Sequence, residues 1–346
     1  MSPIPPFAGK TRAYLEFVAA IIYCLLARSA ARRVAFQIAS DSWSPLVDQA
    51  VLLALLLAIF SAFGRLFDGE ANPVAEQGLP FRAGWSHEAG MGLAVGWGAA
   101  TACVLIMSVL GGIAIVLTTD RSAWGSWFID ILFFAVAALA EEVTFRGYGF
   151  QRFLSVVGPA GATLGFAAFY AGLQALLPGS DRASIAVSVA FSVLLSLAYL
   201  RTRALWVSWG LNFGWKASRA LIFGLALSGT SSHSSVVEGD PMGPFWLTGG
   251  GYGLDASWFA FVVLLAAIPL VYRLTRDLDF QHNAPVIVAG GVPVDLDAAA
   301  QRQHDAYTNS VQPAAPSSLV QIMPSSAPPA SIEVERVQVS EQDPTR

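Results

Sequence analysis

Charge is what this sequence has least of. Only 13% of its 346 residues are Asp, Glu, Lys or Arg, about half the quarter or so found in a soluble globular chain, too little to wet a surface on all sides. Cysteine is scarce as well. Cys24 and Cys103 are the two present, both inside apolar runs, where a thiol reads as a small hydrophobe rather than as half of a bridge or a metal ligand. The four histidines, His87, His233, His282 and His304, all fall outside the apolar runs. The net charge of -4 and the absence of any basic stripe remove nucleic acid as a partner. The opening SPIPPF lacks the pattern of a cleaved signal peptide, so the first helix is expected to stay.

What is abundant is hydrocarbon. The chain is 55% hydrophobic with a mean hydropathy of +0.56, and its apolar runs reach the roughly 20 residues of helix that span a hydrocarbon core of about 30 Å. Eight spans are expected, at 13–27, 45–64, 90–118, 126–146, 157–177, 183–200, 204–229 and 255–273. The first is short and interrupted by Glu16, which leaves an interfacial or re-entrant helix as its alternative. The fold class that follows is all-α: a polytopic transmembrane helix bundle of about eight spans with a disordered C-terminal tail.

With eight spans both termini share one side. That side collects ten flanking cations, Lys10, Arg12, Arg65, Arg82, Arg146, Arg152, Arg201, Arg203, Arg273 and Arg276, against Arg28, Arg32, Arg33, Arg121 and Arg182 on the other. The positive-inside rule therefore puts both termini in the cytoplasm. The expected setting is a bacterial cytoplasmic membrane, with membrane lipid as a partner and the oligomeric state open. Residues 277–346, rich in Pro, Ala and Ser, read as the disordered tail, with VIVAGGVPV at 286–294 as a segment able to pair transiently as a strand. The glycine-rich stretch ending in GGGYG before the last span lacks the strand and helix of a phosphate cradle and reads as a flexible loop. Three GxxxG pairs, Gly92/Gly96, Gly161/Gly165 and Gly210/Gly214, let membrane helices approach closely, within the chain by default or across a dimer seam.

One stretch breaks the apolar pattern. EEVTFRG, residues 141–147, follows the uncharged LFFAVAALA, where each charge costs several kcal/mol unless paired or wetted. Glu142 and Arg146, at i,i+4, can pair along the helix. Glu141 points elsewhere. It can face the bundle interior, as a carboxylate that activates water would, or all three groups can mark the cytoplasmic boundary. Composition and spacing leave both readings open.

EEVTFRG resembles the EExxxR signature of the CPBP family, the CAAX-protease and bacteriocin-processing intramembrane endopeptidases. FAAFY at 166–170 stands where that family has FxxxH, and ALWVSWGLNFGWK at 204–216 where it has HxxxN after an LW pair. The resemblance covers roughly residues 90–229 and implies a bundle of around eight spans that cleaves peptide bonds near the membrane, with a peptide or prenylated protein as substrate. It divides the chain into N-terminal helices with a cytoplasmic loop (1–89), the protease-like core (90–229), an extracytoplasmic loop with the last helix (230–276) and the tail (277–346).

The site residues it implies are Glu141, Glu142, Arg146, Tyr170, Asn212 and Lys216. Glu141 inherits the water-activating role. Tyr170 and Asn212 stand at the positions of the family's histidines and Lys216 at that of its asparagine, the groups that hold the water and the oxyanion. Since losing one oxyanion donor costs about 100- to 1000-fold in rate, three changes imply an inactive member, a binding scaffold, unless Tyr170 and Asn212 supply donors instead. No cofactor and no metal are expected, because two glutamates without a nearby histidine make a poor zinc site.

Ser208, Asn212, Lys216 and Arg219 share one stripe of the seventh span, and a buried ammonium there seeks a carboxylate. A pair between Lys216 and Glu141 or Glu142 is expected. A Ser208/Lys216 nucleophile pair is excluded by about 12 Å along the helix, which leaves Ser188 or Ser192 as remote alternatives. His87, beside Glu88, reads as a solvated loop histidine, with replacement of a lost helix histidine as its alternative. Asp130 reads as an interfacial residue beside Trp124 and Trp127, with a polar track toward Glu141 as the alternative. A transporter lined by Glu141, Glu142, Lys216 and Arg219 is the rival from another class, but no internal repeat supports it.

Overall fold

A computed structural model of the chain describes residues 6–68, 72–117, 124–230, 235, 237–278 and 301. The chain divides into two units, Met1–Ala284 and Pro285–Arg346. Apart from Gln301, the second lies outside the described residues, and with it the expected tail and its 286–294 segment.

The first unit is a helical bundle, and its long helices follow the apolar runs. Helix α1 (Pro6–Ile38) is continuous over 33 residues, about 50 Å at 1.5 Å per residue. The interruption expected at Glu16 does not occur, because Glu16 accepts from Arg12 Nε at 2.7 Å and lies 3.3 Å from Arg152 Nε, which removes the cost of a lone carboxylate. Helix α2 (Ser44–Phe63) returns along it, and the short α3 (Pro73–Glu76) leads to α4 (Trp85–Val109). The apolar run of the third span extends to 118. The helix stops earlier, where Gly111 takes a left-handed φ of 72°, a common way for a helix to end. The β-branched run after it becomes strand β1 (Ile113–Leu117), which favours such side chains.

Helix α5 (Trp124–Arg146) carries the acidic motif. Helix α6 (Tyr148–Ala175) breaks at Gly158 (φ 77°, ψ 174°), with Pro159 opening its second part. Only glycine takes that backbone freely, and proline is suited to a first turn, so the span begins where the apolar run at 157 placed it. Helix α7 (Arg182–Thr202) starts from a capping box in which Ser184 N donates to Asp181 Oδ1 at 2.8 Å and Asp181 N to Ser184 Oγ at 2.9 Å. Helix α8 (Trp206–Ala217) continues as one π-helical turn, Ser218–Ile222.

The described part of the glycine-rich segment expected as a flexible loop, 237–253, is folded. Strand β2 (Val237–Pro241) pairs antiparallel with β1, from Ile113 opposite Pro241 to Leu117 opposite Val237. The short α9 (Phe245–Thr248) and two tight turns, Gly250–Tyr252 and Leu254–Ala256, precede α10 (Trp258–Leu274). A side chain at Gly253 (φ 85°) would run into the Ala226 carbonyl, so the glycines make close packing possible rather than mobility.

Two of the GxxxG pairs form one seam. A Cβ on Gly92 or Gly96 would strike the backbone carbonyls of Val207 and Leu211, and one on Gly210 or Gly214 those of Ala89 and Leu93. Helices α4 and α8 thus touch backbone to backbone, which sets the depth at which α8 presents its polar stripe to α5. Gly161 and Gly165 instead meet Val157 and Phe153 of the same kinked helix.

Among the described residues, four helical stretches are long and apolar enough to cross a membrane: Gly9–Ile38, Ser44–Leu66, Trp85–Val109 and Arg182–Thr202. Trp258–Leu274 is a shorter apolar helix.

Candidate functional site

The polar residues of α5 and α8 meet inside the bundle. Glu142 and Arg146 are almost wholly buried, their side chains 0% and 1% exposed, and pair at 3.1 Å. Further hydrogen bonds offset the desolvation cost of such a pair. Asn212 Nδ2 donates to the same Glu142 oxygen at 2.8 Å. Arg146 Nη2 donates to the carbonyl and hydroxyl oxygens of Ser192, both at 3.3 Å. Three helices, α5, α7 and α8, are therefore joined through the buried Glu142–Arg146 pair, the arginine reaching α7 and the carboxylate α8.

Lys216 and Glu141 make the second contact. The ammonium donates to Glu141 Oε2, and both side chains remain partly exposed, at 24% and 18%. Of the two acids that the α8 stripe could reach, each takes a different residue: Glu142 takes Asn212 and Glu141 takes Lys216. The other Glu141 oxygen, Oε1, is buried and has no hydrogen-bond partner among the described residues.

Glu141 and Lys216 line a cavity of about 410 Å³. Its walls include Phe133, Phe145, Phe191 and Trp215, and its polar groups include Tyr170, Ser188, Arg219, Ser228, Thr230 and Asp255. Tyr170 is buried and faces Glu141, with which it interacts electrostatically. Arg219 closes the stripe. Its Nη1 donates to Asp255 Oδ1 at 2.6 Å, its Nε donates to the Trp215 carbonyl at 3.0 Å, and its guanidinium lies 4.6 Å from the Trp215 ring centre. Asp255 Oδ2 in turn accepts from the backbone and hydroxyl of Ser228, both at 3.0 Å. Asp255 and Ser228, 27 residues apart in the segment after α8, belong to the site's wall, and no helical spacing points to either.

The six residues expected from the motifs are thus adjacent, but as two contacts with different burial. Glu142, Arg146 and Asn212 form a buried structural network away from the cavity, with Glu142 Oε2, Arg146 Nε and Asn212 Oδ1 unbonded among the described residues, whereas Glu141, Tyr170 and Lys216 face the cavity. His87 is exposed on α4 rather than in a loop and does not line this cavity. Its neighbour Glu88 is buried against Arg82 at 2.8 Å, and Arg82 also donates to the Thr202 carbonyl at 2.8 Å. Asp130 is also absent from the lining, and Trp127 Nε1 donates to the Leu221 carbonyl at 3.2 Å. Ser188 lines the cavity, while Ser192 serves Arg146.

Residues 122–218 match the Rce1-like family, described as type II CAAX prenyl endopeptidase Rce1-like. The chain carries an Rce1-like domain. The matched segment contains α5 to α8 and with them every residue of the two contacts. The family assignment read from EEVTFRG stands, and with the apolar helices it makes the chain an integral, multi-pass membrane protein. No curated protein and no solved structure matches the chain.

Proposed function

We propose that this chain is a CAAX-protease-like intramembrane endopeptidase domain in which Glu141 holds the position of the water-activating carboxylate and Lys216 occupies it. The cavity then binds a peptide at the membrane with its hydrolysis suppressed, as a binding scaffold would. The observation that carries this reading is the Lys216 to Glu141 contact. A general base must have a lone pair directed at the attacking water, and Glu141 Oε2 directs its own at an ammonium. The cavity's aromatic walls and polar groups suit an extended peptide segment that carries an apolar group.

A second reading, hydrolysis through an altered oxyanion site, is favoured by one observation: Glu141 Oε1 is buried without a hydrogen-bond partner among the described residues, on the side of the acid that Lys216 leaves open. Tyr170 and Asn212 would then stand in for the lost donors. Asn212 is the weaker of the two because its amide is already committed to Glu142.

The core at 90–229, both termini in the cytoplasm and a bacterial cytoplasmic membrane complete the proposal. It rests on the family match, the spacing of the three motifs and the ten-to-five distribution of flanking cations.

The test is cleavage of a membrane-peptide library that includes prenylated CAAX peptides by the purified full chain, beside Glu141→Gln. Binding without cleavage by either protein is the expected result. Cleavage that disappears in Glu141→Gln would replace the scaffold by the second reading.

A further inference from the structure

The larger of the two cavities that meet at Glu141 is not the one that holds Lys216. A chamber of about 660 Å³ lies between α1, α2, α5 and α6, walled by Phe17, Ile21, Leu52, Phe153, Phe166 and Phe169 among others. It meets the site cavity at Glu141, Ala137, Phe145 and Leu173, which line both. Walls this apolar offer water too few partners to hold it. Within a bilayer the natural filling is hydrocarbon.

The chamber's polar residues are not scattered. Arg28 and Arg32 of α1 and Gln49 of α2 line one end, Glu141 and Thr144 of α5 line a side wall, and the end away from the arginines is aromatic, where Phe17 stacks on Phe153 at 4.6 Å. The arginine end is where the chain leaves the apolar layer: α1 turns into α2 through Ala39, Ser40, Asp41, Ser42 and Trp43, and Trp43 is 48% exposed, as expected of an aromatic residue at headgroup level. Arg28 is paired with Asp48 at 2.9 Å. Arg32 is exposed, and Arg33 beside it adds a third cation to the same end of the helix. Against Asp41 and Asp48, Arg28, Arg32 and Arg33 still leave one positive charge in surplus at this end, which attracts phosphate. On the side wall Glu141 is already bound to Lys216 and offers no cation to a second acid.

We infer that the chamber holds one acyl chain of an anionic phospholipid whose phosphate rests against Arg28 and Arg32. The tail runs past Glu141 toward Phe17 and Phe153, and the headgroup stays at the arginine end. The lipid is therefore a resident that packs α1 against α5 and α6, and its binding does not depend on whether the site cleaves peptides.

Native mass spectrometry of the full chain, with phosphatidylglycerol and phosphatidylcholine of identical acyl chains supplied in equal amounts, tests the inference. One phosphatidylglycerol per chain should be retained, about tenfold over phosphatidylcholine. Each arginine near an anionic headgroup contributes about fivefold, so Arg32→Gln, at an exposed position, should cut that preference about fivefold with the thermal midpoint unchanged. Ile21→Trp, which fills the chamber from α1, should remove retention of both lipids. Equal retention of the two lipids, an unchanged preference in Arg32→Gln, or stronger retention of a neutral prenyl alcohol would each overturn it.

Discussion

Lys216 of α8 donates to Glu141 of α5 at the site cavity, where the family resemblance places an asparagine and a catalytic acid. The contact crosses between two helices that also meet at Asn212 and Glu142, one turn deeper in the bundle. Removing the ammonium leaves a poorly solvated carboxylate, and an unpaired acid of this kind costs about 1–3 kcal/mol. Lys216→Met should therefore lower the thermal midpoint of the purified protein, while peptide cleavage stays at background because a freed Glu141 still lacks the family's oxyanion donors. Because Glu141→Gln removes the charge that needs the partner, the double variant should lose less than the sum of the singles. A coupling of about 0.5–3 kcal/mol is typical of residues in contact. Additive losses would show that the two groups do not stabilise one another.

Glu142, Arg146 and Asn212 should behave differently, because they are sealed from the cavity. Truncating one partner of a buried ion pair costs about 3–5 kcal/mol, since the other charge stays behind unpaired. Arg146→Met should accordingly lower the yield of folded protein more than Lys216→Met does. Asn212→Leu, which deletes a neutral donor to a charged acceptor, should cost about 1.5–3 kcal/mol. Thermal unfolding in one detergent ranks the three, and Lys216→Met proving the most damaging would contradict the burial order.

Much of this arrangement is legible in the chain itself. Apolar runs place the long helices in order, with ends off by up to about ten residues at α1 and α4, the i,i+4 spacing of Glu142 and Arg146 gives their pair, and the Ser208 to Arg219 stripe brings cations to the acids. These features are local, set by helical periodicity. What escapes is long-range. Arg219 finds Asp255 36 residues away, in a turn held by glycines, and no spacing rule connects the two. The strands at Ile113–Leu117 and Val237–Pro241 pair across more than a hundred residues, and the first is apolar enough to pass for the end of a span. Which acid would receive Lys216 also depends on the rotation of α8, and that rotation is set by the glycine seam with α4 rather than by α8 alone.

The tie between Arg219 and Asp255 holds the segment after α8 against the cavity wall, because Asp255 binds both the arginine and Ser228. Asp255→Ala should free that wall while leaving the helices folded. The expected outcome is faster backbone amide exchange and earlier proteolytic nicking between residues 225 and 257, with protection of α5 and α7 unchanged. Local opening of this kind draws on the least stable part of a fold. Protection lost evenly across the bundle would instead make Asp255 part of the global core.

The α4 to α8 seam should be the least tolerant surface in the molecule. At Gly210 a single added methyl would meet the Ala89 carbonyl, and at Gly92 that of Val207. These are backbone atoms that cannot rotate aside, so the helices would have to separate and carry Asn212 and Lys216 away from α5. Gly98 lies on the same helix as Gly92, but a methyl added there would find nothing within 4 Å, and the position is exposed. Gly210→Ala should cost about 1–3 kcal/mol from overpacking, whereas Gly98→Ala, which only adds helix propensity, should be neutral or stabilise by up to about 1 kcal/mol. Both substitutions add one methyl to a membrane helix, so the difference between their thermal midpoints isolates the seam. Equal midpoints would mean that α8 owes its rotation, and the placement of Lys216 beside Glu141, to something other than this contact.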